Sequence, residues 1–143
     1  MNMKKLMTWS IMMLMVALMP MMTSCGDDDT NETKKEFDRY YVRYEAVSKA
    51  NRLSTSTCKV NYMTENGIQT VTHSHDYSQY GSTWNWEGQY GPFEKGDLAK
   101  LIITCSGASN EGRLYVSRNN EAFVVKAEGQ NKDKLELEYT IDY

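Results

Sequence analysis

The ingredients of catalysis are scarce in this sequence. Two histidines and three cysteines are spread over 143 residues. No Gly-x-Ser-x-Gly elbow, phosphate-binding glycine loop, Cys-x-x-Cys or His-Glu-x-x-His occurs, so the local signatures of the commonest hydrolases, nucleotide enzymes, dithiol oxidoreductases and zinc proteases are missing. The chain reads as a non-enzyme without a cofactor. Positive charge is short as well. The formal charge is −3, and it becomes −5 once Lys4 and Lys5 are set aside; a nucleic-acid binder needs clustered cations, so nucleic acid is not an expected partner. Nor is methionine a property of the body: nine of the ten lie at or before Met22. Helical periodicity is absent after residue 24.

What the N-terminus does have is an export signal. Lys4 and Lys5 form a basic start, and Leu6 to Met22 is apolar except for Thr8, Ser10 and Pro20, as in the n- and h-regions of a signal peptide. The run is short for a membrane span, and no cationic stop-transfer cluster follows. Met22-Thr23-Ser24-Cys25 comes next, then Gly26-Asp27-Asp28-Asp29.

Small residues directly before a cysteine resemble the lipobox of bacterial lipoproteins, although Leu is commoner where Met22 stands. The resemblance implies cleavage before Cys25 and acylation of Cys25, including an amide-linked chain such as palmitate. Two or three acyl chains anchor stably where one does not, at about 0.8 kcal/mol per buried CH₂. The Asp-rich run is similar to the surface-export signal of Bacteroidetes-type lipoproteins. It implies an outer-membrane lipoprotein of the cell envelope, with the outer face favoured over the periplasmic one.

Three segments follow: residues 1–24 as signal peptide, 25–36 as lipidated cysteine and flexible polar tether, and 37–143 as one domain. The tether lacks apolar periodicity and cannot bury a core. The remaining stretch, about 107 residues, is a common domain size.

That stretch alternates. Tyr40, Val42, Tyr44 and Ala46 share one face of a strand; Arg39, Tyr41, Arg43 and Glu45 share the other. Val47 to Asn51 allows at most a turn of helix. Cys58–Tyr62 and Ile68–His73 flank Asn66-Gly67, a strong hairpin signal. Ser82–Tyr90 carries Trp84 and Trp86 on one face. Leu98–Cys105 is apolar, Ser106–Gly112 reads as a loop of small residues, Leu114–Val116 and Ala122–Glu128 flank a turn at Arg118–Glu121, and Leu135–Tyr143 alternates to the end. These segments predict a single antiparallel β-sandwich of seven to eight strands.

Three clusters offer chemistry. Cys58 and Cys105 share parity with apolar strand neighbours and are the even pair left once Cys25 is acylated. A disulfide between them would add about 4 kcal/mol by loop closure; the alternative is two buried thiols. His73 and His75, with Asp76 beside them, share a strand face and could clasp a metal, but no third ligand is evident and no metal is expected. Tyr77, Tyr80, Trp84, Trp86 and Tyr90 form an aromatic run. Tyr80, Trp84, Trp86 and Tyr90 are the candidate ligand-binding residues, since Trp and Tyr faces stack on sugars and Gln79, Asn85 and Gln89 could bond hydroxyls. The competing expectation, and the favoured one, places the tryptophans in the core with the tyrosines edging a surface.

The hairpin grammar from Val60 onward resembles the mycobacterial membrane protein small (MmpS) family. It rests on Val60-Asn61-Tyr62-Met63-Thr64-Glu65-Asn66-Gly67, on Trp84, on Phe93-Glu94-Lys95-Gly96-Asp97 before Leu101-Ile102-Ile103, and on Leu114 to Glu121 continuing to Ala127-Glu128-Gly129. It implies an immunoglobulin-like β-sandwich held outside a membrane and a role assisting lipid or siderophore exporters. That family's transmembrane helix is replaced here by the lipid anchor. The functional expectation is a non-catalytic, membrane-anchored binding or transport-accessory module with an envelope protein or a glycan as partner. The alternatives are a carbohydrate-binding surface protein using Trp84 and Trp86, and a small metal-binding protein using His73 and His75.

Overall fold

The computed structural model describes residues 37–50, 55–76 and 82–142, with the side chains of 50, 55, 56, 75 and 76 excepted. The proposed signal peptide, Cys25 and its tether lie outside these residues, as do Tyr77, Gln79 and Tyr80.

The fold is all-β. Six antiparallel strands follow one another: β1 (Tyr40–Ala50), β2 (Thr55–Thr64), β3 (Gly67–Asp76), β4 (Thr83–Phe93), β5 (Leu98–Arg118) and β6 (Val124–Thr140). They form one hydrogen-bonded sheet in the order β3-β2-β5-β1-β4, with β6 along the other edge of β5. In β1 the alternation holds to the end: Tyr40, Val42, Tyr44, Ala46 and Ser48 are buried while the residues between them are not. The turn of helix allowed over Val47 to Asn51 is therefore replaced by strand as far as Ala50.

The expected seven or eight strands become six because two pairs of segments fuse. Ser106–Gly112, expected as a loop, is strand within β5, and the two segments after the Asn119-Asn120 turn are one strand, β6. The cause lies at the middle of β5. Cys105 opposes Asp133 and Ser109 opposes Lys132, so Ser106, Gly107 and Ala108 have no counterparts on β6. Gly107 takes φ 75° and Asp133 φ 59°, and the Gly107 N–H donates to Asp133 Oδ1 at 2.7 Å. An irregularity of this kind bends a strand without ending its pairing.

At the same bend the opposite edge of β5 changes neighbour. Residues 101–105 pair with β2, and residues 108–118 pair with β1. The sheet thereby curls into two arms joined through β5 and β6. The first holds β3, β2, Leu98–Cys105 and the end of β6; the second holds β4, β1, Ala108–Arg118 and the start of β6.

Side-chain size lets the arms interdigitate. Across the second arm runs a small row of Ala46, Gly112 and Gly129. Facing it is a large row of Val60, Ile103 and Leu135 on the first arm. A Cβ on Gly112 would come within 3.0 Å of Leu135 and 3.2 Å of Ile103, so the large row fills the space that the glycine leaves. The next rows are large on both arms: Tyr44 and Leu114 meet Tyr62, Leu101 and Leu137, and all but the half-buried Tyr62 are fully or nearly buried. After β6 the chain closes one end of this core: Ile141 is buried and exchanges backbone hydrogen bonds with Gly96 and Asp97 at 2.7 and 2.9 Å.

Turn chemistry follows the expected sites. Asn119 and Asn120 both adopt positive φ, 50° and 65°, and Glu121 N–H donates to the Arg118 carbonyl at 2.8 Å. Such a pair matches the twist of a hairpin. At the β2–β3 turn the loop is Glu65-Asn66, and only Gly67 carries positive φ, 99°.

Candidate functional site: an aromatic seam between two sheet edges

β3 and β4 stand at the two ends of the strand order and on opposite arms, and their inward side chains meet. In β4 the period of two brings Trp84, Trp86 and Tyr90 to the inner face as half-buried rings. β3 contributes Val71 and His73, and β2 contributes Tyr62. The Trp84 and His73 rings lie 5.4 Å apart and within 6° of parallel. Tyr62 sits 4.6 Å from the Trp86 ring and 4.8 Å from the Tyr90 ring. Beneath them Tyr44 is 6.2 Å from both Tyr62 and Tyr90. Offset and tilted pairs at these separations are favourable beyond the area they bury.

Gly88 explains how the row closes. It occupies the inward position between Trp86 and Tyr90, and a Cβ there would lie 2.7 Å from the Tyr90 ring and 3.0 Å from Trp86. The glycine lets both rings fold over the strand.

Burial sets the protonation of the phenols. Burial pushes Tyr44 well above the ordinary range, and its hydroxyl donates to the Met63 carbonyl at 2.8 Å. Burial first, then the neighbouring Tyr62 hydroxyl, lifts Tyr90 to about 12. Both therefore present neutral O–H groups across the physiological range.

Cys58 and Cys105 form a disulfide under one end of the seam. They oppose each other directly in the β2–β5 ladder, with Cα atoms 4.3 Å apart. Both are fully buried, with Ala108 beside them and Trp84 packed on top. Next to them Ser48 Oγ donates to Asn110 Oδ1 at 2.8 Å, both side chains being fully buried, and Asn110 Nδ2 has no hydrogen-bond acceptor.

No family model, curated protein or solved structure matches the chain. The site's chemistry is thus read from its own residues.

Of the candidate ligand-binding residues, Trp84, Trp86 and Tyr90 come together on one face. The polar helpers do not join them: Asn85 and Gln89 stand exposed on the opposite face of β4, because they hold the odd positions of a strand whose even positions carry the rings. Each tryptophan also has a second ring against it. The tryptophans pack against the core as half-buried rings of a stacked aromatic seam, and the amides named for the alternative sugar platform do not flank them. Tyr62 and Tyr44 were not among the sequence candidates, and His73 was one only as a metal ligand. The signal for Tyr62 was its parity with Cys58 and Val60, but nothing local says which strand faces it.

For the histidine pair, the β3 backbone places His73 and His75 at positions of the same parity. The side chains of His75 and Asp76 lie outside the described ones. His73 stacks on Trp84, and among the described residues no three metal-ligating side chains converge. No helix among the described residues is long and apolar enough to cross a membrane.

The outer face of the second arm carries a charge lattice around an open depression lined in part by Glu45, Glu111, Arg113 and Glu128. Arg43 lies 3.7 Å from Glu45 and 3.8 Å from Glu87, and Arg113 bridges Glu45 and Glu128 at 3.7 and 3.5 Å. The Tyr115 hydroxyl donates to Glu45 at 2.6 Å, and the Arg43 guanidinium covers the Tyr115 ring at 4.2 Å. Acid and base alternate across this surface, so it presents no field of one sign.

Proposed function

We propose that this chain is a non-catalytic, lipid-anchored binding module of the bacterial outer membrane, and that the aromatic seam between β3 and β4 is its contact surface. Cys25 would carry the acyl groups, and residues 26–36 would set the distance from the bilayer. The domain would supply a rigid frame, since rings fixed on strands lose little freedom when a partner arrives. The observation that carries the reading is the collection of partly exposed rings on inner strand faces, Trp84, Trp86 and Tyr90 on β4, His73 on β3 and Tyr62 on the adjoining β2, with β3 and β4 themselves at open edges. Aromatic residues gathered this way are enriched at the centres of protein contact surfaces. An envelope protein is the partner class favoured over a glycan, because the amides needed to read sugar hydroxyls face away from the rings.

The sandwich expected from the sequence belongs to this reading in a modified form. Two arms packed face to face are a sandwich in their core, and the bent β5–β6 hairpin ties the layers together. Assistance to an exporter, implied by the MmpS resemblance, is the specific role we attach to the module.

Site-specific photo-crosslinking in cells tests the proposal. A photoreactive side chain at His73 or Tyr90 is expected to capture one discrete envelope partner, and the same group at Lys59 or Gln89 on outer faces is not. Equal labelling from all four positions rejects the seam as the contact surface. Globomycin treatment tests the anchor: unchanged processing of the precursor rejects acylation at Cys25.

A further inference from the structure

A sheet edge exposes a row of unpaired N–H and C=O groups, and natural sheets guard such edges with charge, proline, bulges or short length. Among the described residues three edges have no neighbouring strand: those of β3, β4 and β6. Two of them are guarded. β4 carries Glu87 and the non-donating Pro92, and its ladder with β1 is irregular between Tyr40 and Val42. β6 carries Lys126, Glu128, Lys132, Lys134, Glu136 and Glu138, and it breaks register twice against β5.

β3 is different. It runs regularly along β2 for ten residues, and no Lys, Arg, Asp or Glu occurs from Gly67 to His75. Its outward side chains are Ile68, Thr70, Thr72 and Ser74, all exposed, with Ile68 at 58%. Threonine and isoleucine are strong strand formers. An edge this long and uncharged, left bare, is an adhesive surface.

The backbone groups can be assigned. The Cα separation of 4.3 Å at Cys58–Cys105 marks a close, non-hydrogen-bonded pair, for which about 4.5 Å is usual. Cys58 therefore turns its N–H and C=O toward β3, where its counterpart is His73. By alternation Val71 and Gln69 also bond to β2. Ile68, Thr70, Thr72 and Ser74 then aim their N–H and C=O groups out from the free edge.

We propose that β3 is a dimerisation edge, pairing antiparallel with β3 of a second copy of this chain about a two-fold axis at Val71. The sequence is self-complementary about that point. Thr70 opposes Thr72 of the second copy, Thr72 opposes its Thr70, and Ile68 and Ser74 oppose each other. All four of these positions carry the outward-aimed backbone groups, so the pairing closes two sheets into one. Facing threonines are a favourable cross-strand pair, and no like charges meet. A second copy fits better than a charged peptide, because the strand offers a charged partner no counter-charge. The Thr70 hydroxyl is already oriented: it donates to Asn61 Oδ1 at 2.8 Å. An isologous contact of this kind closes as a dimer and does not propagate. The proposal stands apart from the aromatic seam, whose rings point inward.

Sedimentation equilibrium of the full chain in excess detergent micelles tests it. The wild type is expected to be dimeric, and Thr72→Lys is expected to weaken association by about tenfold or more, since the charge enters both symmetric sites. Thr70→Lys chains mixed with Thr72→Glu chains should recover heterodimers, because the new lysine then faces the new glutamate. Amide hydrogen exchange on the unaltered chain provides a measurement that needs no variant: the Thr70 and Thr72 amides should gain protection as concentration rises. A monomeric wild type, a dimer indifferent to Thr72→Lys, or exchange at Thr70 and Thr72 independent of concentration would each overturn the assignment.

Discussion

At the scale of single residues, the arrangement depends on where side chains are missing as much as on where they are large. Gly112 is the clearest case. Its space is filled by Leu135, Ile103 and Leu101 from the facing arm. A Gly112→Ala substitution forces a methyl group into that contact and is expected to destabilise the domain by about 1–3 kcal/mol. The stiffer unfolded chain returns about 0.4–1 kcal/mol of it. Urea denaturation checks the sign; a more stable variant would mean that the arms are not in contact at this row. Glu136 shows the opposite case, an exposed group held by its partners. Lys100 Nζ lies 2.6 Å from it and Lys134 Nζ 2.9 Å, and these ammonium groups pull its carboxyl down to about 2. A depressed carboxylate contributes stability above its unfolded pKa, near 4.5, and that contribution is lost as pH falls toward 2. The pair is exposed, so the effect is small. Wild type should exceed Glu136→Gln in stability at pH 6, and the two should converge by pH 2. A gap that persists at pH 2 would contradict the ion-pair account.

Elements here end where backbone chemistry allows, which is not always where composition suggests. The β5–β6 turn was legible, because Asn-Asn tolerates left-handed φ at both positions and few other pairs do. Asn119 also acts as a clamp. Its Oδ1 accepts from Arg39 N–H at 2.9 Å and its Nδ2 donates to Asp38 at 2.8 Å, fastening the segment that leads into β1 to the far turn. Asn119→Ala should therefore cost about 2–3 kcal/mol, combining backbone strain with the lost hydrogen bonds. Asn119→Gly should recover the backbone part alone. Thermal melts of the two variants separate the contributions, and an Asn119→Gly variant as stable as the wild type would mean that the side chain clamps nothing. The strand alternations of β1, β4 and the end of β6 were equally readable, and so were the inward positions of Trp84 and Trp86; Tyr90, expected to edge the surface, joins them on the inner face. The continuity of β5 was not. Ser106 to Gly112 has the composition of a loop, yet β1 pairs with 108–112 on one side and β6 with 109–112 on the other. Pairing from both sides overrides local preference. Strand order was unreadable for the same reason that Tyr62 and the stacking of His73 on Trp84 were missed: a two-residue period tells which face is buried, never which neighbour buries it.

At the scale of the whole molecule, a curled sheet needs something to hold its bend, and the disulfide is placed for that. Cys58 and Cys105 join β2 to β5 at the last pair before β5 leaves β2 for β1. The bond spans 47 positions, so by loop closure it contributes about 4 kcal/mol. Its second effect is local. Trp84 packs on the disulfide and Ala108, whereas Trp86 is held by Tyr62, away from the bend. Replacing both cysteines by alanine should therefore act on the two tryptophans unequally. In the double variant carrying Trp86→Phe, with Trp9 also replaced by Phe, the remaining Trp84 emission should shift to longer wavelength and become more open to acrylamide quenching. With Trp84→Phe instead, the Trp86 emission should change much less, provided that measurements are made well below the lowered melting temperature. Equal shifts from the two positions would show that the bond braces the whole fold uniformly. An unequal response would tie it to one end of the aromatic seam, making that end the part of the proposed contact surface that responds to the redox state of its surroundings.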